Sequence, residues 1–270
     1  MQAEFEGFSS GSAIFTKHAN RWRKLSFGVA VLDRLSGGGV PCRGIFELAG
    51  DPGSGKTQIA LKLALSALQL SPDSCVVYIC TEHMFPSGRL LQMEAEHKRL
   101  NADNETTQTH NFADHILVEH VRCVPTLKAC LFDRLPKLLS KKTISLLIID
   151  SITSPFLEEK DYVSRAESFR AIVRRLQQYQ EQHNFTTFVT NQVRSVIDSA
   201  TLDDEQIIPA LGLAWGTLVH TRLQISRITN SNVRRCSVIF GPCLVPRHGY
   251  FHINESGPVD SSVDQQHMTA

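Results

Sequence analysis

A layered α/β fold, with a mainly parallel central sheet and an antiparallel extension toward the C-terminus, is what this sequence predicts. Three observations predict it. Short apolar runs recur at residues 75–80, 116–121, 144–149 and 185–189, and helix-patterned stretches at 126–139 and 165–183 separate them. Strands that alternate with helices feed parallel neighbours covered on both faces. From about Val219 the texture changes to three apolar runs (219–225, 236–240, 250–253) with short connections, as antiparallel strands require. Finally, a glycine-rich turn joins the apolar run Ile45, Phe46, Leu48, Ala49 to a helix-patterned segment, the strand–loop–helix order of a phosphate-binding unit.

That turn reads Gly50-Asp51-Pro52-Gly53-Ser54-Gly55-Lys56-Thr57, followed by Gln58. Glycines let the backbone curl so that several N–H groups face phosphate oxygens, and the positive end of the next helix faces the same anion. Lys56 is placed for the β and γ phosphates, and the Thr57 hydroxyl for Mg²⁺. ATP with Mg²⁺ is the expected ligand pair. After the loop, Ala60, Leu63, Ala64, Ala67 and Leu68 recur at helical spacing until Ser71-Pro72-Asp73 stops the helix.

Two further carboxylates follow strands. Leu146-Leu147-Ile148-Ile149-Asp150 is an apolar strand ending in an acid that can hold the metal shell. Glu82, after Tyr78-Ile79-Cys80-Thr81, is either a general base for an attacking water or a solvated loop acid, and spacing alone does not separate the two. Gln192 in Thr190-Asn191-Gln192 is either a γ-phosphate sensor or an ordinary polar strand end.

A length of 270 residues fits one large α/β domain or two small ones, and 42% apolar content excludes a disordered chain. The net charge of +1 excludes a protein living on bulk attraction to nucleic acid, so any DNA contact is local. Seven cysteines without a Cys-x-x-Cys pair, and no signal peptide, point to a reducing compartment such as cytosol or nucleus. No apolar run approaches a membrane span, so no membrane partner is expected. Residues 1–24 read as a flexible N-terminal segment, 25–257 as the core, and 258–270 as a disordered tail, with an exposed loop at 100–111.

Over residues 25–257 the chain resembles the RecA-type strand-exchange recombinases of eukaryotes and archaea, and within them the recombinase paralogues. The residues that carry the resemblance are Leu25-Ser26-Phe27-Gly28, Leu32-Asp33, Gly37-Gly38-Gly39-Val40, the phosphate loop, Thr81-Glu82 with Phe85 and Arg89-Leu90, and Ile148-Ile149-Asp150-Ser151. Thr190-Asn191-Gln192-Val193, Pro209-Ala210-Leu211-Gly212 with Trp215, and Thr221-Arg222-Leu223 complete it. Two subgroups fit. The phosphate loop and the compact 194–212 segment look like the C-type paralogue. By contrast, Tyr78-Ile79-Cys80-Thr81-Glu82 and Val118-Glu119-His120-Val121 look like the third X-ray-repair cross-complementing paralogue. The insect Spindle-D type is similar too.

The resemblance implies a RecA-like core that binds ATP between subunits and works in nuclear double-strand-break repair by homologous recombination, often in meiosis. Its partners would be other recombinase paralogues, the main recombinase and, directly or through them, single-stranded DNA. Carried over by position, Glu82 activates water and Gln192 senses the γ phosphate. Asp150 belongs to the metal shell, and Arg89 packs near the adenine. The two DNA-facing loops correspond to residues 157–168 and 194–212, with Arg165 and Arg194 as the candidate contacts. Phe8, in Gly7-Phe8-Ser9-Ser10-Gly11, resembles the anchor by which one subunit docks into the next.

Three departures matter. The loops carry Glu158, Glu159, Asp161, Asp198, Asp203, Asp204 and Glu205, which repel phosphates. Phe240 stands where recombinases have an Asp that caps the neighbour's ATP, and the helical module preceding the family's core is expected to be absent. These leave two readings: a mediator of recombinase filament assembly with weak DNA-dependent ATPase activity, and a nucleotide-gated scaffold with negligible turnover.

Overall fold

The computed structural model describes residues 10–17, 23–197, 205–228 and 231–261. Helix α1 (Gly11–Lys17) leads to a two-stranded ribbon of β1 (Lys24–Leu25) and β2 (Val40–Pro41), with α2 (Ala30–Leu35) between them. The first half of the core runs β3 (Ile45–Gly50), α3 (Lys56–Leu70), β4 (Cys75–Cys80), α4 (Ser87–Leu100), α5 (Glu105–Thr109) and β5 (Ile116–His120). Then come α6 (Val124–Ala129), α7 (Leu135–Leu139), β6 (Ile144–Asp150), α8 (Tyr162–His183), β7 (Thr186–Ile197) and β8 (Glu205–Pro209). After α9 (Gly212–Gly216) the chain finishes in strands: β9 (Thr221–Arg227), β10 (Val233–Phe240), β11 (His248–Asn254) and β12 (Gly257–Asp260).

The sheet order is β12-β11-β10-β9-β3-β7-β6-β4-β5, with β8 hairpinned onto β7. Strands β9, β3, β7, β6, β4 and β5 are parallel, and β10 to β12 add antiparallel. Strand period two explains why the central runs are apolar throughout. Val76, Tyr78, Leu146, Ile148 and Phe46 face one layer with α3. Val77, Ile79, Leu147 and Ile149 face the other with α6 to α8. On the first face Phe46 stacks on Phe188 with centroids 5.9 Å apart.

One buried polar cluster interrupts the second layer. The carboxylate of Glu47, 0% exposed, accepts from Asn191 (2.6 Å), Trp215 (2.6 Å) and the Arg222 guanidinium. Arg222 in turn lies over the Phe240 ring, 5.0 Å from its centroid.

Several predicted boundaries are corrected. The helix expected at 126–139 starts at Val124 and passes through a π turn at Cys130–Arg134. Pro136 cannot donate a backbone hydrogen bond, and the widened turn lies just before it. The exposed loop at 100–111 contains α5, and Thr107 is buried there. The tail expected from Pro258 begins inside β12. Asp260 accepts there from the backbone N–H groups of Ala30 and Val31 at 3.0 and 2.8 Å, which a polar composition does not reveal. The N-terminal segment expected to be flexible holds α1, which starts at Gly11, and Lys24 at its expected end already pairs in β1. Phe8 lies outside the described residues.

Candidate functional site

The register of the parallel strands gathers the site at their carboxyl ends. Gly50 pairs with Gln192 and Cys80 with Asp150, so four strands distant in sequence bring these residues to one edge. Ligands of open parallel sheets bind at this edge. Between β3 and α3 the phosphate loop takes the shape that its glycines allow. Gly53 has φ +73° and Gly55 φ +110°, both left-handed, and a Cβ on Gly55 would lie 2.5 Å from the Ile253 Cδ1. The loop opens into a cleft of about 500 Å³ bounded by Lys56, Glu82, Arg89, Asp150, Gln192 and Arg234, among others.

Lys56 donates to the carbonyls of Gly50 (2.7 Å) and Asp51 (2.8 Å). Burial pushes its ammonium below the usual lysine range, against the pull of Asp150, Glu82 and Asp51. The Thr57 hydroxyl donates to Asp150 at 2.7 Å, as do Tyr78 at 2.7 Å and Thr190 at 2.5 Å. Burial, reinforced by Asp150, pushes the Tyr78 phenol well above its ordinary value, so it remains a donor.

The segments after β4 and β6 are zipped together. Thr81 Oγ1 donates to the Ser151 carbonyl at 2.7 Å, and the Ser151 N–H donates back at 2.8 Å. This sets Glu82 beside Ser151. Glu82 Oε1 accepts from the Ser151 hydroxyl and from Gln192 Nε2 (2.7 Å). Gln192 does not end its strand, as the sequence suggests, because β7 continues to Ile197. Its backbone N–H donates to Thr153 Oγ1 at 2.9 Å, and that hydroxyl donates to Asn191 at 2.6 Å, which in turn reaches Glu47.

Arg89 closes the far side of the cleft. It donates to Gln58 (2.7 Å), Gln92, and the carbonyls of Asn254 (2.5 Å) and Glu255 (3.1 Å). It thus ties α4 to the turn between β11 and β12. Pro52, Gly53, Gly55, Gln58 and Arg89 all line the cleft. Asp51 and Ser54 do not, but the Ser54 hydroxyl is buried in the loop without a hydrogen-bond partner among the described residues.

The residues present fit a nucleoside triphosphate with Mg²⁺. A hydroxyl and a carboxylate at 2.7 Å, Thr57 and Asp150, are an oxygen pair of the chemistry that would hold Mg²⁺ alongside phosphate and water. The orphaned Ser54 hydroxyl and the two left-handed glycines belong to a loop shaped around an anion.

The two candidate DNA contacts are placed differently from expectation. Arg165 is not on a loop. It sits in the first turn of α8, four residues past the N-cap Asp161, and lies 4.8 Å from the Tyr162 ring centroid. Arg194 is on β7, paired with Ile208 of β8, so the second segment starts as a hairpin rather than an open loop. The Arg194 side chain and residues 198–204 are outside the described residues. Arg165 is not among the residues that line the cleft.

Sequence reasoning missed Tyr78, Ser151, Thr190 and Arg234. Ser151 directly follows Asp150, and Tyr78 and Thr190 lie on strands that carry or lead into residues that were found, but only the register of β4, β6 and β7 brings them together at the site. Arg234 is buried on β10 and donates to the Ser54 carbonyl at 3.1 Å.

Comparison with known proteins agrees with this geometry. A family model described as Rad51 matches residues 20–261. The chain is 34% identical over 248 residues to the DNA repair protein XRCC3 of Mus musculus, across 82% of this chain and 71% of that protein. It is 36% identical over 240 residues to the Bos taurus protein of the same name, across 82% and 70%. Against the DNA repair protein XRCC3 homolog of Arabidopsis thaliana it is 26% identical over 284 residues, across 87% and 92%. With the fold, the phosphate loop and these similarities in one chain, it belongs to the Rad51 family, among the recombinase paralogues of the XRCC3 kind.

Proposed function

We propose that this chain is an ATP-binding subunit of a recombinational DNA-repair assembly, acting in the nucleus with other recombinase paralogues to help the main recombinase assemble on single-stranded DNA. The names of its relatives support the repair assignment. The contact between Gln192 and Glu82 at the mouth of the phosphate loop carries the nucleotide part.

The chain's own residues suggest how. Lys56 exchanges the Gly50 and Asp51 carbonyls for phosphate oxygens, which relieves the cost of its burial. Thr57 and Asp150 would hold Mg²⁺, which would supply charge neutralisation of the phosphates. Without nucleotide Ser151 and Gln192 both bond to Oε1 of Glu82; with nucleotide Ser151 keeps hold of the carboxylate, leaving Oε2 to take a proton from water. When Gln192 turns to a γ phosphate it releases Glu82, and the change passes along β7 to the segment after it. Arg89, beside Gln58 and the turn after β11, borders the end of the cleft suited to the nucleoside.

The scaffold reading, with ATP held as a clamp and negligible turnover, is favoured by one observation. Phe240 occupies the position of the neighbour-capping Asp, and its ring is half-buried beneath Arg222. Turnover by the purified chain, alone and with a recombinase paralogue, with and without single-stranded DNA, decides between them. Glu82→Gln should retain ATP binding and lose turnover by about 100-fold or more, the upper range for a general base. Binding without turnover in every mixture establishes the scaffold, and turnover unchanged in Glu82→Gln sinks the assigned base. A failure of the tagged chain to enter the nucleus, or to join repair foci after DNA breaks, counts against the repair assignment.

A further inference from the structure

Strand β10 sends Arg234, Cys236 and Val238 inward and Arg235 outward. Arg234 is only 9% exposed, an unusual burial for arginine. Its Nε donates to the Ser54 carbonyl at 3.1 Å, and Nη1 reaches the carbonyls of Ser231 (3.4 Å) and Val233 (3.3 Å). No carboxylate among the described residues pairs with it, and the charge that acts on it most is another cation, Arg227. A desolvated guanidinium without an anion is an unbalanced arrangement. The same side chain lines the cleft beside Gly53, Gly55, Lys56 and Ile253.

The topology fixes the direction of approach. Glu82, Asp150 and Gln192 belong to β4, β6 and β7 or the turns after them, on one side of β3. Strand β10 lies on the other side, beyond β9. Arg234 therefore comes to the phosphate loop from the flank away from the water-activating carboxylate. We propose that Arg234 is a polyphosphate-binding residue supplied by the same chain, meeting the phosphates nearest the loop that diphosphates and triphosphates share. The inference rests on the nucleotide reading above and adds a second fixed cation to Lys56. Because Arg234 also holds the Ser54 carbonyl, bound nucleotide would draw the antiparallel extension onto the phosphate loop.

The test is titration of the full chain with ATP, ADP and AMP at several salt concentrations, for the parent, Arg234→Gln, Arg234→Lys and Lys56→Ala, with thermal unfolding of each without nucleotide. Loss of one charge-assisted contact should weaken ATP and ADP alike by about 10- to 100-fold in Arg234→Gln. AMP should change much less. The salt dependence of ATP affinity should flatten, because one screened charge is gone, and Arg234→Lys should recover part of the loss. A purely structural prop for the loop would lower affinity without altering the salt dependence, and that result overturns the proposal. So does unchanged affinity in Arg234→Gln while Lys56→Ala loses binding, which leaves the nucleotide reading intact. A parent chain that binds no nucleotide overturns both. If Arg234→Gln fails to fold, Arg234→Lys decides by the same two measures, its shorter point charge weakening ATP and ADP equally.

Discussion

Glu47 bears a carboxylate with no solvent exposure, and three donors from β7, α9 and β9 converge on it. Such a charge is tolerable only while its partners stay in place. Removing the carboxylate strands the Arg222 guanidinium, whose Nη2 is already buried without a partner among the described residues. Glu47→Ala should therefore cost about 3–5 kcal/mol, read as a lower urea midpoint, whereas an exposed acid such as Glu158→Ala should change little. A loss below about 1 kcal/mol would mean that the cluster is not held together by this charge. His97 gives a second test. It is buried at 8% exposure, its Nε2 has no partner among the described residues, and burial together with Lys62 pushes its imidazolium pKa down, outweighing the pull of Glu94. The unfolded chain takes up this proton near pH 6.5, and the folded chain only at lower pH. The contribution is thus fully present above about pH 6.5 and is lost as pH falls below it, with a slope of up to about 1.4 kcal/mol per pH unit. Thermal unfolding between pH 8 and 5 should show this fall, and His97→Gln should flatten it. An equal pH slope in the variant would remove His97 from the account.

Helix α8 illustrates how an element is specified locally. Asp161 accepts from the Val163 N–H at 3.0 Å, and Asn184 closes the other end with φ +54°. Both residue types suit their caps for reasons readable in the sequence: a short side-chain acceptor at the start and tolerance of the left-handed region at the end. Even so, the helix was predicted three residues short at its N-terminus, because Tyr162 and Val163 are exposed and break the apolar period. Asp161→Ala should destabilise the chain by about 1 kcal/mol in chemical unfolding. No change would mean the first turn frays without consequence. The β7–β8 hairpin is the opposite case. Its strands carry Arg194, Glu205 and Gln206 where a loop composition is expected, and the pairing of Val193 with Pro209 extends a strand that periodicity ends at Val189. Pairing of backbone groups across a hairpin does not depend on apolar alternation, so the pattern gave no sign of it. At the carboxyl edge of the sheet, Asp150, Glu82 and Gln192 were legible because each follows an apolar run. Their mutual contacts were not, since register between β3, β4, β6 and β7 sets them.

At the scale of the whole molecule, the cleft draws on both halves of the sheet. The phosphate loop, Glu82, Asp150 and Gln192 come from the parallel half, while Arg234, Ile253 and the carbonyls that hold Arg89 come from the antiparallel one. Ligand that binds only the folded chain should stabilise it as one unit. Mg·ATP at about 100 times its Kd should add about 2.7 kcal/mol, seen as a raised melting temperature. Lys56→Ala should abolish that rise. A parent melting temperature indifferent to Mg·ATP would contradict the nucleotide assignment. Sequence by itself determined the α/β class, the phosphate loop and the parallel-then-antiparallel order, because these rest on local spacing and periodicity along the chain, and its short motifs carried the family resemblance. Tertiary structure alone decided that Glu82 is clasped by Ser151 and Gln192, that Phe240 is covered by Arg222, and that a buried arginine from β10 reaches the phosphate loop. Those contacts join residues from 18 to 180 positions apart, and only strand order and register bring them together.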